Sequence, residues 1–273
     1  MSYKAEQTLL YVKDLSAGYD GKVILKDVSF EEKDIVREGH ESTGQVIAFI
    51  GRSGRGKSTL FKTLTGLLKP LSGQMLISDL TTASADDAKN LSEGDIGFVD
   101  QKYTLFRHKT ITQICEYALR KSTLTKPEKE ALIKEYLTDW GLLEHKDKFS
   151  CELSGGTRQR VAIVEQMLTS KHFIILDEPF SGLDIGNIDT VKQSFKKIGA
   201  SDELNTIIFS THDIPLAVEL ADSIYIIGFP ENDKSASTII KHYDLKSMGL
   251  AWTAHNSGHD SLINEIKDLV RKS

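Results

Sequence analysis

Gly51-Arg52-Ser53-Gly54-Arg55-Gly56-Lys57-Ser58-Thr59 follows the apolar run Gln45 to Ile50 and leads into Leu60-Phe61-Lys62-Thr63-Leu64. The stretch fits G-x-x-x-x-G-K-[ST], the phosphate-binding loop, in the setting that motif requires: an apolar strand before it and an amphipathic helix after it. Glycines at 51, 54 and 56 are expected to take positive φ, so that backbone N–H groups curl around one centre, where the helix N-terminus adds positive potential. Lys57 then reaches the β- and γ-phosphates as a point charge, and the Ser58 hydroxyl takes one Mg²⁺ position. The stretch points to nucleotide binding rather than to a Gly-rich turn alone.

The rest of the composition fits this without narrowing it. A chain of 273 residues, 40% hydrophobic and 27% charged, can form one large domain or a domain with an appended subdomain. A net charge of -5 argues against nucleic acid as the main partner, because phosphate backbones select basic surfaces. Cys115 and Cys151 lie far apart with no His or Cys at ligand spacing, so they read as reduced thiols rather than a disulfide or a zinc site. The N-terminal residues form no apolar leader, and the run Ile224 to Ile227 is far too short to span a bilayer. Any action at a membrane is therefore expected from outside the lipid.

In chain order, strands are expected at Leu9 to Val12 and Val23 to Phe30, joined by a turn at Gly18-Tyr19-Asp20-Gly21. The charged stretch Glu31 to Gly44 reads as a solvated loop. Leu60, Phe61, Leu64, Leu67 and Leu68 fall on one helical face that ends at Gly66 and Pro70. A strand follows at Gln74 to Ile77, then a polar segment to Glu93 and a short strand at Ile96 to Val99. From about Gln101 to Met167 the pattern turns helical, with a capping box at Thr125 and Glu128 opening a helix that buries Leu132, Ile133, Tyr136, Leu137 and Trp140. Strands resume at Phe173 to Leu176, Thr206 to Phe209 and Ser223 to Ile227. Alternating strands and helices predict a mostly parallel sheet with ligand groups at the strands' C-terminal ends.

Two further constellations carry chemistry. Ile175-Leu176-Asp177-Glu178-Pro179 is an apolar strand ending in two carboxylates, of which Asp177 suits Mg²⁺ through water and Glu178 suits a general base. Leu153-Ser154-Gly155-Gly156-Thr157-Arg158-Gln159-Arg160-Val161 opens a helix with two glycines, a second exposed N–H cluster for an anion. Ser154 could equally serve as an ordinary cap of that helix, and the residue types alone leave both readings open.

Leu153 to Gly156 followed by Arg158-Gln159-Arg160 resembles the signature motif of ATP-binding cassette proteins, and the chain carries that family's other motifs in order. Gly51 to Thr59 resembles its Walker A, Gln101 its Q-loop, Ile174 to Glu178 its Walker B, and Ser181-Gly182-Leu183-Asp184 its D-loop. His212, in Ser210-Thr211-His212-Asp213, matches the switch histidine, and Tyr19 sits where the family stacks an aromatic ring on adenine. The resemblance covers roughly residues 8 to 228.

It implies an α/β fold: a P-loop NTPase core with a mostly parallel sheet, an N-terminal antiparallel β-layer and an inserted α-helical subdomain. The cassette would span residues 1–230, with a RecA-like core at about 1–100 and 171–230, the helical part at about 101–170, and a short tail at 231–273. The cofactors implied are ATP and Mg²⁺. Tyr19, the loop Gly51, Arg52, Ser53, Gly54, Arg55, Gly56, Lys57, Ser58 and Thr59, then Ser154, Gly155, Gly156, Thr157 and Asp184, would contact the nucleotide. Ser58, Gln101 and Asp177 would hold the metal, and Glu178, His212, Lys57 and Gln101 would carry catalysis. The family pairs two cassettes head to tail, so Ser154 to Gly156 would close the site of a second copy. Separate transmembrane permease subunits, and in importers a solute-binding protein, would be partners, with no direct nucleic acid. Such a chain would be cytoplasmic, held at the inner face of the membrane by its permease.

Some positions depart from the pattern. Thr157 stands where the family most often has Gln, Asp100 before Gln101 is more polar than usual, and Arg107 replaces a common proline in a segment expected to meet the membrane partner. Beyond Gly228 an amphipathic helix from Asp260, with Leu262, Ile263, Ile266, Leu269 and Val270, is similar to the short tails of nitrate, sulfonate and taurine type importer cassettes. It could equally pack on its own domain. The expected function is the ATP-hydrolysing subunit of a transporter, importing a small solute. The alternative is a non-transport cassette acting in translation or DNA maintenance, for which one cassette, no coiled coil and an acidic balance are a poor fit.

Overall fold

Asp20 and Gly21 both have positive φ, 49° and 78°, which makes the two-residue mirror-image turn that suits the right-handed twist of paired strands. That turn joins β1 (Tyr3–Tyr19) to β2 (Lys22–Arg37), with Tyr19 opposite Lys22. β1 also pairs with β4 (Ser72–Ser78), and β4 with β5 (Ala88–Asn90), giving an antiparallel layer in the order β2-β1-β4-β5. The computed structural model describes residues 3–37, 44–78, 88–170, 172–181, 185–201 and 204–273.

The expected loop at Glu31 to Gly44 is in part strand, since β2 runs on to Arg37. Val28, Phe30, Glu32 and Asp34 share the inward face, so two acids occupy positions of the alternation that apolar residues fill earlier in the strand. Burial pushes the Glu32 carboxyl above its ordinary value, against the pull of the Lys246 ammonium. The polar segment before Glu93 also holds a strand, β5, which its exposed and polar residues did not announce.

The second sheet has the order β10-β9-β3-β8-β7-β6. Its members β3 (Gln45–Ile50), β6 (Gly97–Val99), β7 (Phe173–Leu176), β8 (Thr206–Thr211) and β9 (Ser223–Gly228) are parallel, and β10 (Thr238–Asp244) runs antiparallel at the edge. β7, β8 and β9 are buried at every residue, as expected for parallel strands covered on both faces. On one face lie the antiparallel layer and α1 (Lys57–Leu64), with Phe49 edge-on to Phe61 and stacked on Tyr225. Leu60, Phe61 and Leu64 are buried there, whereas Leu67, past the helix end, is 58% exposed rather than part of that face.

On the other face pack α2 (Ile111–Ala118), α3 (Lys126–Asp139), α4 (Gly155–Thr169), α5 (Ile185–Ser201), α6 (Ile214–Leu220) and α7 (Ser257–Lys272). The amide and hydroxyl of Thr125 both donate to Glu128 Oε2 at 2.6 Å, the pairing the sequence predicts at the start of α3. Among the described residues no helix is long and apolar enough to cross a membrane.

Register decides what meets at the sheet's C-terminal edge. Val99 pairs with Leu176, Leu176 with Phe209, Phe209 with Ala48, and two residues on Ile50 pairs with Thr211. Gln101, Asp177, Glu178, His212 and Gly51 therefore leave four adjacent strands on one side.

Candidate nucleotide site

The loop after β3 is built on glycine for two different reasons. Gly54 and Gly56 have φ of 80° and 92°, a region that L side chains rarely adopt. Gly51 does not share it, contrary to the expectation for all three. It is required instead by close approach, since a Cβ there would lie 2.4 Å from the Ile227 carbonyl oxygen on β9. The loop amide of Arg55 donates to the Arg52 carbonyl at 3.2 Å, which turns the chain before α1 begins.

Lys57 is 6% exposed, and its Nζ donates to the Gly51 carbonyl at 2.8 Å and the Arg52 carbonyl at 3.5 Å. The ammonium is thus folded back over the loop, 3.5 Å from Glu178 Oε1. Glu178 reaches it because its own φ is 51°, an unusual conformation for a non-glycine residue. Its other oxygen, Oε2, lies 2.9 Å from His212 Nδ1, so one carboxylate sits between the lysine of β3's loop and the histidine after β8.

Asp177 and Glu178 are held apart in role by a residue the sequence reading did not single out. Ser210 Oγ donates to Asp177 Oδ1 at 2.6 Å and accepts from the Glu178 amide at 2.9 Å. The signal was a hydroxyl at the end of the apolar run of β8, two positions before His212. Gln159, read only as part of the signature run, makes a contact that reading did not anticipate: buried on α4, it donates to the Pro179 carbonyl at 2.9 Å and ties that helix to the loop after Glu178.

A divalent metal fits this donor set. Asp177 is 7% exposed and its Oδ2 has no hydrogen-bond partner among the described residues, while Ser58 presents an exposed hydroxyl at the start of α1; both offer the hard oxygen atoms such a cation takes. Gln101 is exposed and donates to Ser181 Oγ at 3.3 Å, beside the loop that follows Glu178. Thr59 is buried under the loop, and Arg52 and Ser53 are exposed.

The remaining predicted residues stand elsewhere. Tyr19 is 41% exposed at the end of β1. Ser154 caps α4, accepting from the Thr157 amide at 3.3 Å, with the two hydroxyls 2.9 Å apart. The ordinary-cap reading of Ser154 is therefore realised, and Thr157 serves that cap in place of the expected Gln. Ser154 and Gly155 stay exposed, and among the described residues neither Ser154 nor Thr157 has a side-chain hydrogen bond to the phosphate loop. Asp184 lies outside the described residues, with Gly182 and Leu183.

The family described as ABC transporter matches residues 40–181. The sulfate/thiosulfate import ATP-binding protein CysA of Synechococcus elongatus is 36% identical over 189 residues, which cover 68% of this chain and 53% of that one. The chain thus spans about half the length of this curated relative. Among solved structures, one described as the ATP binding subunit of an ABC transporter superposes with a TM-score of 0.68 at 25% identity, over 94% of this chain and 99% of that one. Another, cbiO1 of Clostridium perfringens, described as part of the ABC transporter complex cbiONQ, gives 0.69 at 26% identity, over 90% and 92%. Both the matched span, which runs from before the phosphate loop through Glu178, and these likenesses place the chain in the ABC transporter family as one of its ATP-binding members.

Proposed function

We propose that this chain hydrolyses ATP and couples the cycle to import of a small solute through separate transmembrane subunits. The observation that carries the hydrolytic part is the position of Glu178 between Lys57 and His212, at 3.5 and 2.9 Å. A carboxylate at the C-terminal edge of a parallel sheet, next to a phosphate-binding lysine, is placed to accept the proton of an attacking water. The histidine holds Oε2 in direction, and Ser210 fixes the backbone from which Glu178 projects.

The chain's own groups divide the work. The loop amides and Lys57 bind and orient the phosphates, and Glu178 takes the water's proton at a carboxylate oxygen. Ser58 and Asp177 would hold Mg²⁺, with Gln101 near enough to the loop after Glu178 to report on it; the ion supplies charge neutralisation at the phosphate oxygens. Ser154 and Gly155 form an exposed helix start, which suits contact with nucleotide bound to a second copy. A head-to-tail pair would then have two shared sites. Phe106 and Tyr117, two part-exposed rings 5.0 Å apart on the helical side, favour a protein partner there.

Support for transport comes from the relatives, one a sulfate/thiosulfate import ATP-binding protein and the other part of a transporter complex. Two measurements test the reading. Purified chain with its membrane partner should release phosphate from Mg-ATP, and capture from detergent-solubilised native membranes should recover a multi-spanning protein. No phosphate release would sink the ATPase; recovery of ribosomes or DNA instead would sink the transporter.

A further inference from the structure

Arg55, which the family resemblance would put against the nucleotide, has its side chain on Phe229 and Ser273 instead. It stands between the two positive-φ glycines, 54 and 56, where the backbone is least restrained. The neighbouring side chains of Arg52 and Ser53 are exposed and make no hydrogen bond or ion pair among the described residues. Arg55 instead turns away from the cradle. Its guanidinium lies 4.0 Å from the ring centroid of Phe229, just past β9, and its Nη2 donates to the Ser273 carbonyl at 3.3 Å.

Ser273 closes the last turn of α7, its amide donating to the Leu269 carbonyl at 3.2 Å. α7 itself is firmly seated: Leu262, Ile263 and Ile266 are buried, it packs on α6, and Tyr243 on β10 donates to Glu265 at 2.8 Å. α6 starts two residues after His212. One helix thus bridges the element that follows the histidine and the loop that carries Lys57. The end of β9 is the wall both rest on, since Ile227 crowds Gly51 and a Cβ at Gly228 would lie 2.6 Å from Ser273 Cβ.

We infer that the last turn of α7, with Phe229, is a positioning element for the phosphate loop, tethering it through Arg55 so that nucleotide affinity depends on the C-terminal helix. The tether is a ring face and one main-chain oxygen, and the Arg55 Nε–H is buried with no acceptor among the described residues. Such an anchor holds a flexible loop in its binding shape while remaining easy to release. The inference rests on the loop binding nucleotide, as proposed above.

The test uses the full chain and two variants outside the nucleotide machinery. Phe229→Ala removes the ring under Arg55, and Gly228→Val pushes Ser273 away without altering either contact partner. A fluorescent ATP analogue is titrated in Mg²⁺ buffer, amide exchange is followed across residues 51–57, and melting temperature checks folding. Each variant should weaken analogue binding about two- to thirtyfold, the range from an exposed to a desolvated cation–π contact, and speed exchange in the loop, while phosphate release at saturating ATP stays at the wild-type rate. The Arg55→Ala/Phe229→Ala double variant should lose no more affinity than the worse single one. Wild-type affinity and exchange in a folded Phe229→Ala variant would overturn the tether, as would weaker binding with unchanged loop exchange. A wild-type chain that binds no nucleotide would instead overturn the ATP-site reading, and the tether with it.

Discussion

Lys57 Nζ lies 3.5 Å from Glu178 Oε1, with both side chains largely buried. The lysine that is to bind phosphate and the carboxylate that is to activate water are thus each other's counter-charge. An incoming phosphate competes with Glu178 for the lysine, and removing the carboxylate's charge should ease that competition. Glu178→Gln is expected to keep or modestly tighten ATP binding while lowering turnover about 10²- to 10⁴-fold, the usual contribution of a general base. Binding and phosphate release are measured on the same preparation. Unimpaired turnover would remove Glu178 from the chemistry.

Lys57 makes the opposite prediction. Its ammonium is nearly inaccessible and is held over the loop by the Gly51 carbonyl. Lys57→Ala takes away the positive charge aimed at the phosphates and leaves Glu178 facing them unopposed, so ATP affinity should fall at least tenfold, about 1.4 kcal/mol. Calorimetric titration with a non-hydrolysed analogue reads this directly, and an unchanged dissociation constant would rule the lysine out of the site.

Ser210 joins the two acids through a single oxygen, 2.6 Å from Asp177 Oδ1 and 2.9 Å from the Glu178 amide. Ser210→Ala leaves a part-buried amide without its acceptor and a buried carboxylate without its donor. A cost of about 1–3 kcal/mol in unfolding free energy follows from leaving such groups unsatisfied. Because Asp177 is also the expected metal ligand, the Mg²⁺ concentration for half-maximal phosphate release should rise. A change in stability with no change in Mg²⁺ dependence would reduce Ser210 to a structural role.

These residues also divide what was legible in the sequence from what was not. Gly51 to Thr59 and Asp177-Glu178 could be read because each motif is contiguous: one strand, one turn and one helix start carry the chemistry. The strand order that gathers them could be anticipated only as a class, since parallel sheets put ligand groups at one edge. Ser210, Gln159 and the crowding of Gly51 by Ile227 were hidden because each depends on a partner far away in the chain. Glu31 to Arg37 misled for a different reason. Composition spoke for a solvated loop, but pairing with β1 extended the strand and buried Glu32 and Asp34 where alternation put them. Leu67 erred the other way, an apolar residue on the expected stripe that α1 ends too early to bury.

Glu165 supplies a test that needs no ligand. It lies on α4 at a cavity of about 110 Å³ that Asp100 and Thr104, from the segment around Gln101, also line. Burial pushes its carboxyl up to about 7 from an ordinary 4.5, with the Arg120 guanidinium pulling the other way. The folded chain therefore keeps a proton that the unfolded chain has already lost. The stability this carries is present in full below about pH 4.5 and is lost as pH rises through 7, at a cost of up to about 3 kcal/mol above that point. Glu165→Gln keeps the shape and cannot ionise, so it should match wild type in urea unfolding at pH 4.5 and be more stable at pH 8. Tracing unfolding free energy from pH 4.5 to 8 for both proteins isolates the residue, because every other titrating group is common to the two. Parallel curves would mean that Glu165 ionises in the folded chain as readily as in the unfolded one, with water or Arg120 compensating its charge.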